Sequence, residues 1–392
     1  MNVLIISRYF WPEDGVSEEP YILKEYLDWH LSQHHNIEVV SGTQNHYMGD
    51  LSKYKKLRVK FSYFISSIDR RSSFSKRILN SLILLLLASK SVIFKRRFDI
   101  IYLPSNPPFL ALFIVVINKI FFKKSKIIFM IQDNMIYRIN NKLLKWIYKK
   151  NMKYTLAMSS INIVLSQPMK DEILSYFTKS ESNKISKKIH VLLNFTNLDE
   201  NVHEKNIIFS ERVIDIIYAG NHGKSQSLIN FLKIIKEINP VNRPRILFYG
   251  EGEDKLNILN YSKKHKLGIN FHNAISKNDI IKKISESKYG LVCMSEPLSR
   301  YAFPSKLATY VSSGTKVILC VNGNDHLSNY IKSKGFGFVI DSSDPRSAAS
   351  NLRLHLQDNA DLCSNFIENA NLEFNKENYF KRFNKIFKDV VK

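Results

Sequence analysis

The sequence FPSKLATYVSSGTKVILCV at residues 303–321 combines the signals of a short helix and a buried strand. Leu307 and Tyr310 recur at the spacing of one helix face, and Gly314 is suited to the position just after a helix end. The run Val317 to Val321 is apolar throughout, as in a strand that is covered on both faces. The stretch therefore predicts a helix that leads into the sheet of an α/β layer.

The beginning of this predicted helix is also a candidate phosphate site. Pro304 suits a helix N-terminus, where its missing N–H costs nothing. The free N–H groups that begin at Ser305, together with the ammonium of Lys306, would attract an anion. An ordinary capped helix would have the same sequence, so both interpretations stand on these residues alone.

Strand and helix signals alternate along the rest of the chain, which predicts parallel, doubly wound sheets. We predict a first domain over residues 1–195, a polar linker over 196–212, a second domain over 213–374 and a C-terminal helix over 375–392 that returns to the first domain. The expected fold class is α/β, with two Rossmann-like domains facing each other across a cleft. Ligands of such sheets bind beyond the carboxyl ends of the strands.

The composition points to a large cytosolic protein with a basic surface. The chain has 392 residues, three cysteines and a net charge of +23. Three scattered cysteines are too few for a disulfide framework and suggest a reducing compartment. The N-terminus begins with a predicted strand, Val3 to Ser7, so we expect no signal peptide.

Much of the positive charge falls between residues 53 and 97, beside two apolar runs at 78–94 and 109–122. Both runs are shorter than the ~20 residues that a spanning helix needs, so we expect core or interfacial helices. Basic flanks around such helices suggest a protein that rests on an anionic membrane face. A basic, solvated surface with no membrane role is the alternative.

A glycine-containing segment follows the first predicted strand of the second domain. Gly220 and Gly223 would let backbone N–H groups approach a diphosphate, and Lys224 would supply charge. A plain turn into the next predicted helix, Ser225 to Glu237, would explain the same residues. Gly250 and Gly252 end a later strand in the same way. The spacing of a P-loop is absent, and so is the glycine fingerprint that would support a nicotinamide cofactor.

Two carboxylates follow predicted strands. Asp133 ends an apolar strand and is a candidate base or anchor for an acceptor hydroxyl, although it could equally cap the next helix. Glu296 could bind sugar hydroxyls or be simply solvated. The 11 histidines include no HExxH motif, and we predict no metal site.

These segments together resemble the GT-B glycosyltransferases of family 4, and in particular the bacterial enzymes that build O-antigen, capsule and related polysaccharides. The likeness covers nearly the whole chain. The segments that carry it, in chain order, are Ser7–Asp14, Ser41–Gly49, Ser105–Pro108, Asp133, Tyr218–Gln226, Gly250–Gly252 and Phe303–Gly314.

The resemblance implies a retaining transferase that moves a sugar from a UDP- or GDP-linked donor to a polyprenyl-diphosphate-linked acceptor, without metal or other cofactor. It implies a cytoplasmic protein on the inner face of the cell membrane, in O-antigen, lipopolysaccharide or capsule assembly. The implied catalytic residues are Asp133 and Lys306. The implied donor-binding residues are Gly220, Asn221, Gly223, Lys224, Gln226, Gly250, Gly252, Glu296, Pro304, Ser305 and Thr309. The implied acceptor-binding residues are Asp14, Gly15, Asn45 and Ser105.

The sequence departs from the family pattern at two places. Tyr301 and Thr309 occupy the positions of a glutamate pair, whose second member normally contacts the nucleotide ribose. Asn221 stands where the family usually has an arginine of the phosphate site. Lys224 and Lys306 are then the expected cations for the diphosphate.

Two other functions are compatible with parts of the sequence. The missing glutamate pair leaves room for a scaffold of the same fold that supports partner transferases with little activity of its own. The positive charge alone suggests a nucleic-acid-binding protein, but the chain has no recognisable nucleic-acid motif, so we expect no such partner.

Overall fold

The computed structural model describes two compact units. Residues 1–192 and 381–392 form the first unit, and residues 193–380 form the second. The residues whose structure is described are 1–9, 21–44, 58–66, 74–94, 98–121, 124–196, 208–296, 302–323, 326–357, 362 and 364–391.

The first unit contains a seven-stranded sheet in the order β3-β2-β1-β4-β5-β6-β7. Every neighbouring pair of strands is parallel. The strands are β1 (Asn2–Tyr9), β2 (Asn36–Gln44), β3 (Val59–Ser66), β4 (Ile100–Pro104), β5 (Lys126–Ile131), β6 (Ile161–Val164) and β7 (Ile189–Val191).

Helices connect these strands and cover the sheet. Helices α2, α3 and α4 contact one another in that order, so they lie side by side on the sheet. The helices of the first unit before the C-terminus are α1 (Tyr21–Ser32), α2 (Phe74–Phe94), α3 (Leu110–Ile120), α4 (Lys142–Met158), α5 (Gln167–Leu174) and α6 (Lys179–Ser186).

The second unit contains a six-stranded sheet in the order β10-β9-β8-β11-β12-β13, again parallel throughout. Its strands are β8 (Ile214–Ala219), β9 (Ile246–Tyr249), β10 (Asn270–His272), β11 (Ser287–Cys293), β12 (Lys316–Val321) and β13 (Gly337–Asp341). Its helices are α7 (Leu228–Lys236), α8 (Lys255–Lys264), α9 (Lys277–Ser285), α10 (Ser305–Ser312), α11 (His326–Lys334), α12 (Pro345–Gln357) and α13 (Ser364–Phe374). A last helix, α14 (Lys376–Val391), follows.

Apolar side chains lie on both faces of the second sheet, which is why its central strands read as continuous apolar runs. One cluster includes Tyr218 and Phe248. The other includes Leu307 and Tyr310 of α10 together with Leu319 of β12. The predicted α/β class with two parallel-sheet domains is confirmed.

The boundaries of the units follow from side-chain packing. Phe195 contacts the ring of Tyr379 at 4.7 Å, and the Thr196 N–H donates to the Phe374 carbonyl at 3.0 Å, all within the second unit. Phe209, at the end of the expected linker, is buried in the core of the second unit. The second unit therefore already begins at Leu193.

Two elements differ from the sequence prediction. Strand β3 was not predicted, because Val59–Ser66 alternates lysine, serine and aromatic residues at a sheet edge. The helix expected from Ser225 begins instead at Leu228. Ser227 has φ 46°, a left-handed conformation that breaks the helix after a 3-10 turn at Lys224–Gln226. Among the helices of the described ranges, none has the length and apolarity that a bilayer crossing requires.

Candidate functional site

In the second sheet, the strand order reverses between β8 and β11. Strands β9 and β10 are added on one side of β8, and the later strands from β11 onward are added on its other side. Ligands of open parallel sheets bind at such a switch point, beyond the carboxyl ends of the strands. The loops after the two strands touch here. Ser295 donates to the Ser225 carbonyl from both its backbone N–H and its hydroxyl, each at 3.1 Å. The predicted donor-binding segments therefore meet at one edge.

Lys306 is the central cation of this edge. It lies in the first turn of α10, and its Nζ donates to the hydroxyl of Tyr218 at 2.9 Å and to Oε1 of Gln226 at 2.6 Å. The ammonium also lies 4.2 Å from the centre of the Tyr218 ring. An ideal Cβ on Gly220 would be 3.3 Å from Nζ, so a glycine permits this close approach. The structure brings Lys306, Gln226 and Gly220 together, as the sequence predicts.

The charge of Lys306 is not neutralised by a hydrogen-bonded carboxylate within the described residues. Both of its acceptors are neutral, and an ammonium has three donors. Burial lowers the pKa of Lys306 to about 8, and the nearby Cys293 opposes this shift. The group therefore carries most of its positive charge at neutral pH, and it has a donor left for an anion.

Tyr218 is a site residue for which the sequence prediction gave no role. Its hydroxyl donates to the Asn221 carbonyl at 2.6 Å and accepts from Lys306, so it joins the loop after β8 to α10. Burial raises the pKa of Tyr218 far above its usual value, so the phenol stays neutral. The one sequence signal that could have indicated this role is the position of the Tyr218 hydroxyl, one residue before the end of the apolar strand Ile214–Ala219.

Three glycines allow the loops to pack closely. Gly220, Gly250 and Gly252 have φ of 147°, 135° and 159°. A Cβ on Gly250 would lie 1.9 Å from the Gly220 carbonyl oxygen, and one on Gly252 would lie 2.5 Å from the Asn221 side chain. Larger residues would push the loop after β9 away from the loop after β8. The sequence predicted that Gly220 allows a close approach to a diphosphate, whereas the structure shows a close approach between the two loops.

His222 is fully buried in the same loop, and neither ring nitrogen has a hydrogen-bond partner. Its ring lies 5.3 Å from that of Tyr218 and 6.0 Å from that of Phe248. Burial, with the positive charges of Lys255 and Lys306, lowers the pKa of His222 to about 4. His222 is therefore a neutral packing residue beneath the loop.

The remaining predicted donor residues lie in the same loops, in α10 or just before it, and not all of them contact Lys306 or its partners. Lys224 is exposed, and its backbone N–H donates to the Glu253 carboxylate at 3.5 Å. Thr309 donates its hydroxyl to the Ser305 carbonyl one turn earlier, at 3.4 Å. The others are Asn221 and Glu296, which are exposed, the buried Gly223, and Pro304, which precedes α10.

In the first unit, Ser105 and Asp133 follow the neighbouring strands β4 and β5. The Ser105 N–H donates to the Met130 carbonyl at 3.0 Å, which places both strand ends at one edge of the sheet. The side chain that caps the next helical turn belongs to Asn134, which accepts from the Ile136 N–H at 3.3 Å. The Asp133 side chain is half-exposed and does not provide this cap.

A tyrosine hydroxyl stabilises the turn after Asp133. The Met135 N–H donates to the Tyr148 hydroxyl at 3.3 Å. Burial raises the pKa of Tyr148 to about 12, and the nearby Asp133 charge adds to the effect.

The predicted residues Asp14, Gly15, Asn45 and Tyr301 lie outside the described residues. Within the described ranges, no cluster of three or more histidine, cysteine, aspartate or glutamate residues could hold a metal ion.

Comparison with known protein families gives a match in the second unit. Residues 199–373 match the family described as glycosyl transferases group 1. This match lies within the second unit. No curated protein sequence matches this chain significantly.

Solved structures resemble the chain over nearly its full length. The Anabaena protein HepE, in complex with UDP and glucose, has a TM-score of 0.66 at 10% identity, with 99% of this chain and 100% of that chain covered. The lipopolysaccharide outer core galactosyltransferase WaaB has a TM-score of 0.64 at 12% identity, with 99% of each chain covered. Sucrose-phosphate synthase from Thermosynechococcus elongatus has a TM-score of 0.69 at 13% identity, with 99% and 98% covered. These likenesses show a GT-B fold. The group 1 match in the second unit supports a glycosyltransferase, in class EC 2.4.

Proposed function

We propose that this protein is a retaining glycosyltransferase that moves a sugar from a nucleotide diphosphate donor to a lipid-linked oligosaccharide in the assembly of a bacterial surface polysaccharide. The observation that carries the proposal is the Lys306 ammonium, which is held by Tyr218 and Gln226 at the switch point of the second sheet. The structure of HepE with UDP and glucose, which has the same fold, adds support for a nucleotide sugar.

The chemical problem in such a transfer is the departure of a negatively charged diphosphate. A fixed cation and free N–H groups stabilise this charge as it develops, without reorganisation during the reaction. Lys306 supplies the cation, and it lies in the first turn of α10, at the helix end that favours an anion. With this stabilisation in the protein itself, we propose that transfer needs neither a metal nor another cofactor.

The acceptor would bind to the first unit. Ser105 and Asp133 lie at the carboxyl edge of its sheet. We propose that Asp133 anchors or deprotonates an acceptor hydroxyl. We propose Asp14, Gly15 and Asn45 as further acceptor residues from the family resemblance. WaaB, a structure with the same fold, is a lipopolysaccharide outer core galactosyltransferase, which supports the choice of a surface polysaccharide. A polyprenyl-diphosphate carrier would place the protein at the cytoplasmic face of the cell membrane.

Thermal unfolding in the presence of UDP, GDP, CMP and dTDP tests the donor class. A ligand at about 100 times its Kd stabilises the folded state by about 2.7 kcal/mol. We expect UDP or GDP to raise the melting temperature, and the corresponding nucleotide sugar to support transfer to a polyprenyl-diphosphate-linked sugar. If none of the four nucleotides stabilised the protein and no transfer occurred, the proposal would be wrong and a scaffold role would be favoured.

A further inference from the structure

The outer surface of helix α2 is apolar where a helix of a soluble protein is usually polar. Leu79, Leu82 and Leu86 are spaced by three and four residues, so they form one stripe along the helix. Their exposed fractions are 56%, 51% and 69%. The opposite face, with Leu84 and Ala88, is buried against the sheet. The helix is therefore apolar on both sides, and its outer stripe lacks a covering element among the described residues.

Helix α3, which packs against α2, and helix α4, which packs against α3, extend this apolar surface. Phe113 of α3 is 52% exposed, and Leu143, Leu144 and Trp146 of α4 are 64%, 55% and 58% exposed. Helices α2, α3 and α4 contact one another in order, so these side chains belong to adjoining elements. We call the surface formed by α2, α3 and α4 the three-helix surface. Large exposed apolar patches mark sites of interaction with proteins or membranes.

The charges of the three-helix surface favour one kind of partner. The sequences of α2, α3 and α4 contain three, one and five lysine or arginine residues, and none of them contains aspartate or glutamate. Lys150 lies 5.7 Å from the centre of the exposed Trp146 ring, so a cation and an amphipathic aromatic group occur together. Lys153 pairs with Glu181 of α6. Apolar side chains among unopposed lysines fit the boundary between headgroups and acyl chains of an anionic bilayer.

The position of this surface also fits a lipid-linked substrate. Helix α3 follows β4 through Ser105, and α4 follows β5 through the turn that contains Asp133. The N-terminal ends of both helices therefore lie at the edge that carries these two acceptor candidates. A carrier lipid whose chain remained in the bilayer would present its diphosphate and sugar near this edge.

We propose that the three-helix surface is the membrane-docking surface of this protein, and that it binds anionic phospholipid bilayers through its apolar stripe and its lysines. Its role in delivering the acceptor rests on the proposed function. Binding to lipid itself does not depend on that function, and the two can be tested separately.

Flotation of the full-length protein with vesicles tests the docking surface. One set of vesicles contains phosphatidylcholine alone, and the other contains equal amounts of phosphatidylcholine and phosphatidylglycerol. We expect the protein to float with the anionic vesicles at low salt and to be largely released at high salt. The double variant Leu82→Glu/Leu86→Glu should lose at least tenfold in vesicle affinity. Equal flotation with both vesicle types, or unchanged binding by this variant, would overturn the proposal.

A matched control makes the same chemical change in the other unit. Val241 and Leu256 are 90% and 72% exposed and lie in the second unit, so Val241→Glu/Leu256→Glu should bind anionic vesicles as the wild type does. If the α2 variant did not fold, Lys142→Gln/Lys150→Gln would replace it, with weaker binding at low salt as the expected result. An unchanged affinity of that lysine variant would also contradict the proposal.

Two further measurements separate the alternatives. Light scattering without lipid shows whether the surface instead joins two copies of the chain. A dimer that Leu82→Glu/Leu86→Glu dissociates, without vesicle binding by the wild type, would overturn the membrane assignment. Thermal shift by nucleotides should be the same in the wild type and in this variant. Vesicle binding without any nucleotide effect would support the docking surface while contradicting the proposed transfer activity.

Discussion

Lys306 shows how one residue acquires a function from its surroundings. The sequence indicated a lysine in the first turn of a helix, which is a common arrangement. The structure adds two neutral acceptors, Tyr218 and Gln226, and a glycine that lets the ammonium approach the backbone of the loop after β8. These contacts come from residues 80 or more positions away in the chain. Sequence spacing therefore predicted a cation at Lys306, but it could not predict which residues accept hydrogen bonds from it.

The pKa of Lys306 predicts the pH dependence of donor binding. Burial lowers this pKa to about 8, so the ammonium loses its charge as the pH rises through that value. The affinity for a nucleoside diphosphate should therefore fall between pH 7 and pH 9. Calorimetric titration with UDP or GDP, whichever stabilises the protein more, measures this change. The control is Lys306→Arg, whose guanidinium does not titrate in this range. A fall of the same size in that variant would assign the effect to another group.

Tyr218 is predicted to act as a positioning residue for Lys306. Tyr218→Phe removes one acceptor from the ammonium and the donor to the Asn221 carbonyl. We expect a severalfold higher KM for the donor and a displaced midpoint in the pH profile of binding. Tyr289→Phe is the matched control, because that hydroxyl donates to the His355 carbonyl at 3.0 Å, elsewhere in the same unit. A purely structural role for Tyr218 would lower the melting temperature and leave the pH midpoint in place.

At the scale of elements, the alternation of strands and helices was predictable because parallel strands that are covered on both faces are apolar runs. The alternation failed at β3, where an edge strand carries polar residues, and at Ser227, where a left-handed residue interrupts a helical pattern. The predicted glycine loops do meet at one edge of the sheet. Their mutual contact depends on strand order, since β8 lies between β9 and β11, and local sequence does not encode that order.

The contact between the two glycine loops predicts a strong effect of Gly250→Ala. The new Cβ would lie 1.9 Å from the Gly220 carbonyl oxygen, so the two loops would have to separate. We expect loss of nucleotide-induced stabilisation in thermal unfolding. Gly268→Ala is the control, because Gly268 also has a positive φ, 74°, but nothing lies within 4 Å of its Cβ position. If both variants kept the nucleotide effect, the close packing of the loops would not be needed for binding.

At the scale of the whole molecule, the chain does not divide into units in simple sequence order. Residues 381–392 belong to the first unit although the preceding residues from 193 belong to the second. The sequence analysis predicted a C-terminal helix over residues 375–392 that returns to the first domain, and α14 spans Lys376–Val391. Contacts between buried aromatic rings explain why residues 381–392 belong to the first unit. Phe383 lies edge-on to Tyr26 at 4.7 Å and to Trp29 at 5.1 Å.

This packing predicts that the C-terminal helix stabilises the first unit. Phe383 is fully buried, so Phe383→Ala should lower the free energy of unfolding by about 3–5 kcal/mol. Lys385→Ala changes an exposed residue of the same helix and should have little effect. Chemical denaturation, followed by the fluorescence of Trp29 and the other tryptophans, measures the difference. Equal stability of the two variants would mean that α14 contributes little to the first unit.

In the proposed transfer, the Lys306 ammonium binds the diphosphate of an activated sugar. The most direct test is the rate of sugar transfer by Lys306→Ala, measured with the donor that the nucleotide screen identifies. We predict at least a tenfold lower turnover, with a melting temperature in the absence of ligand close to that of the wild type. Unchanged turnover in a folded Lys306→Ala protein would show that Lys306 does not bind the diphosphate.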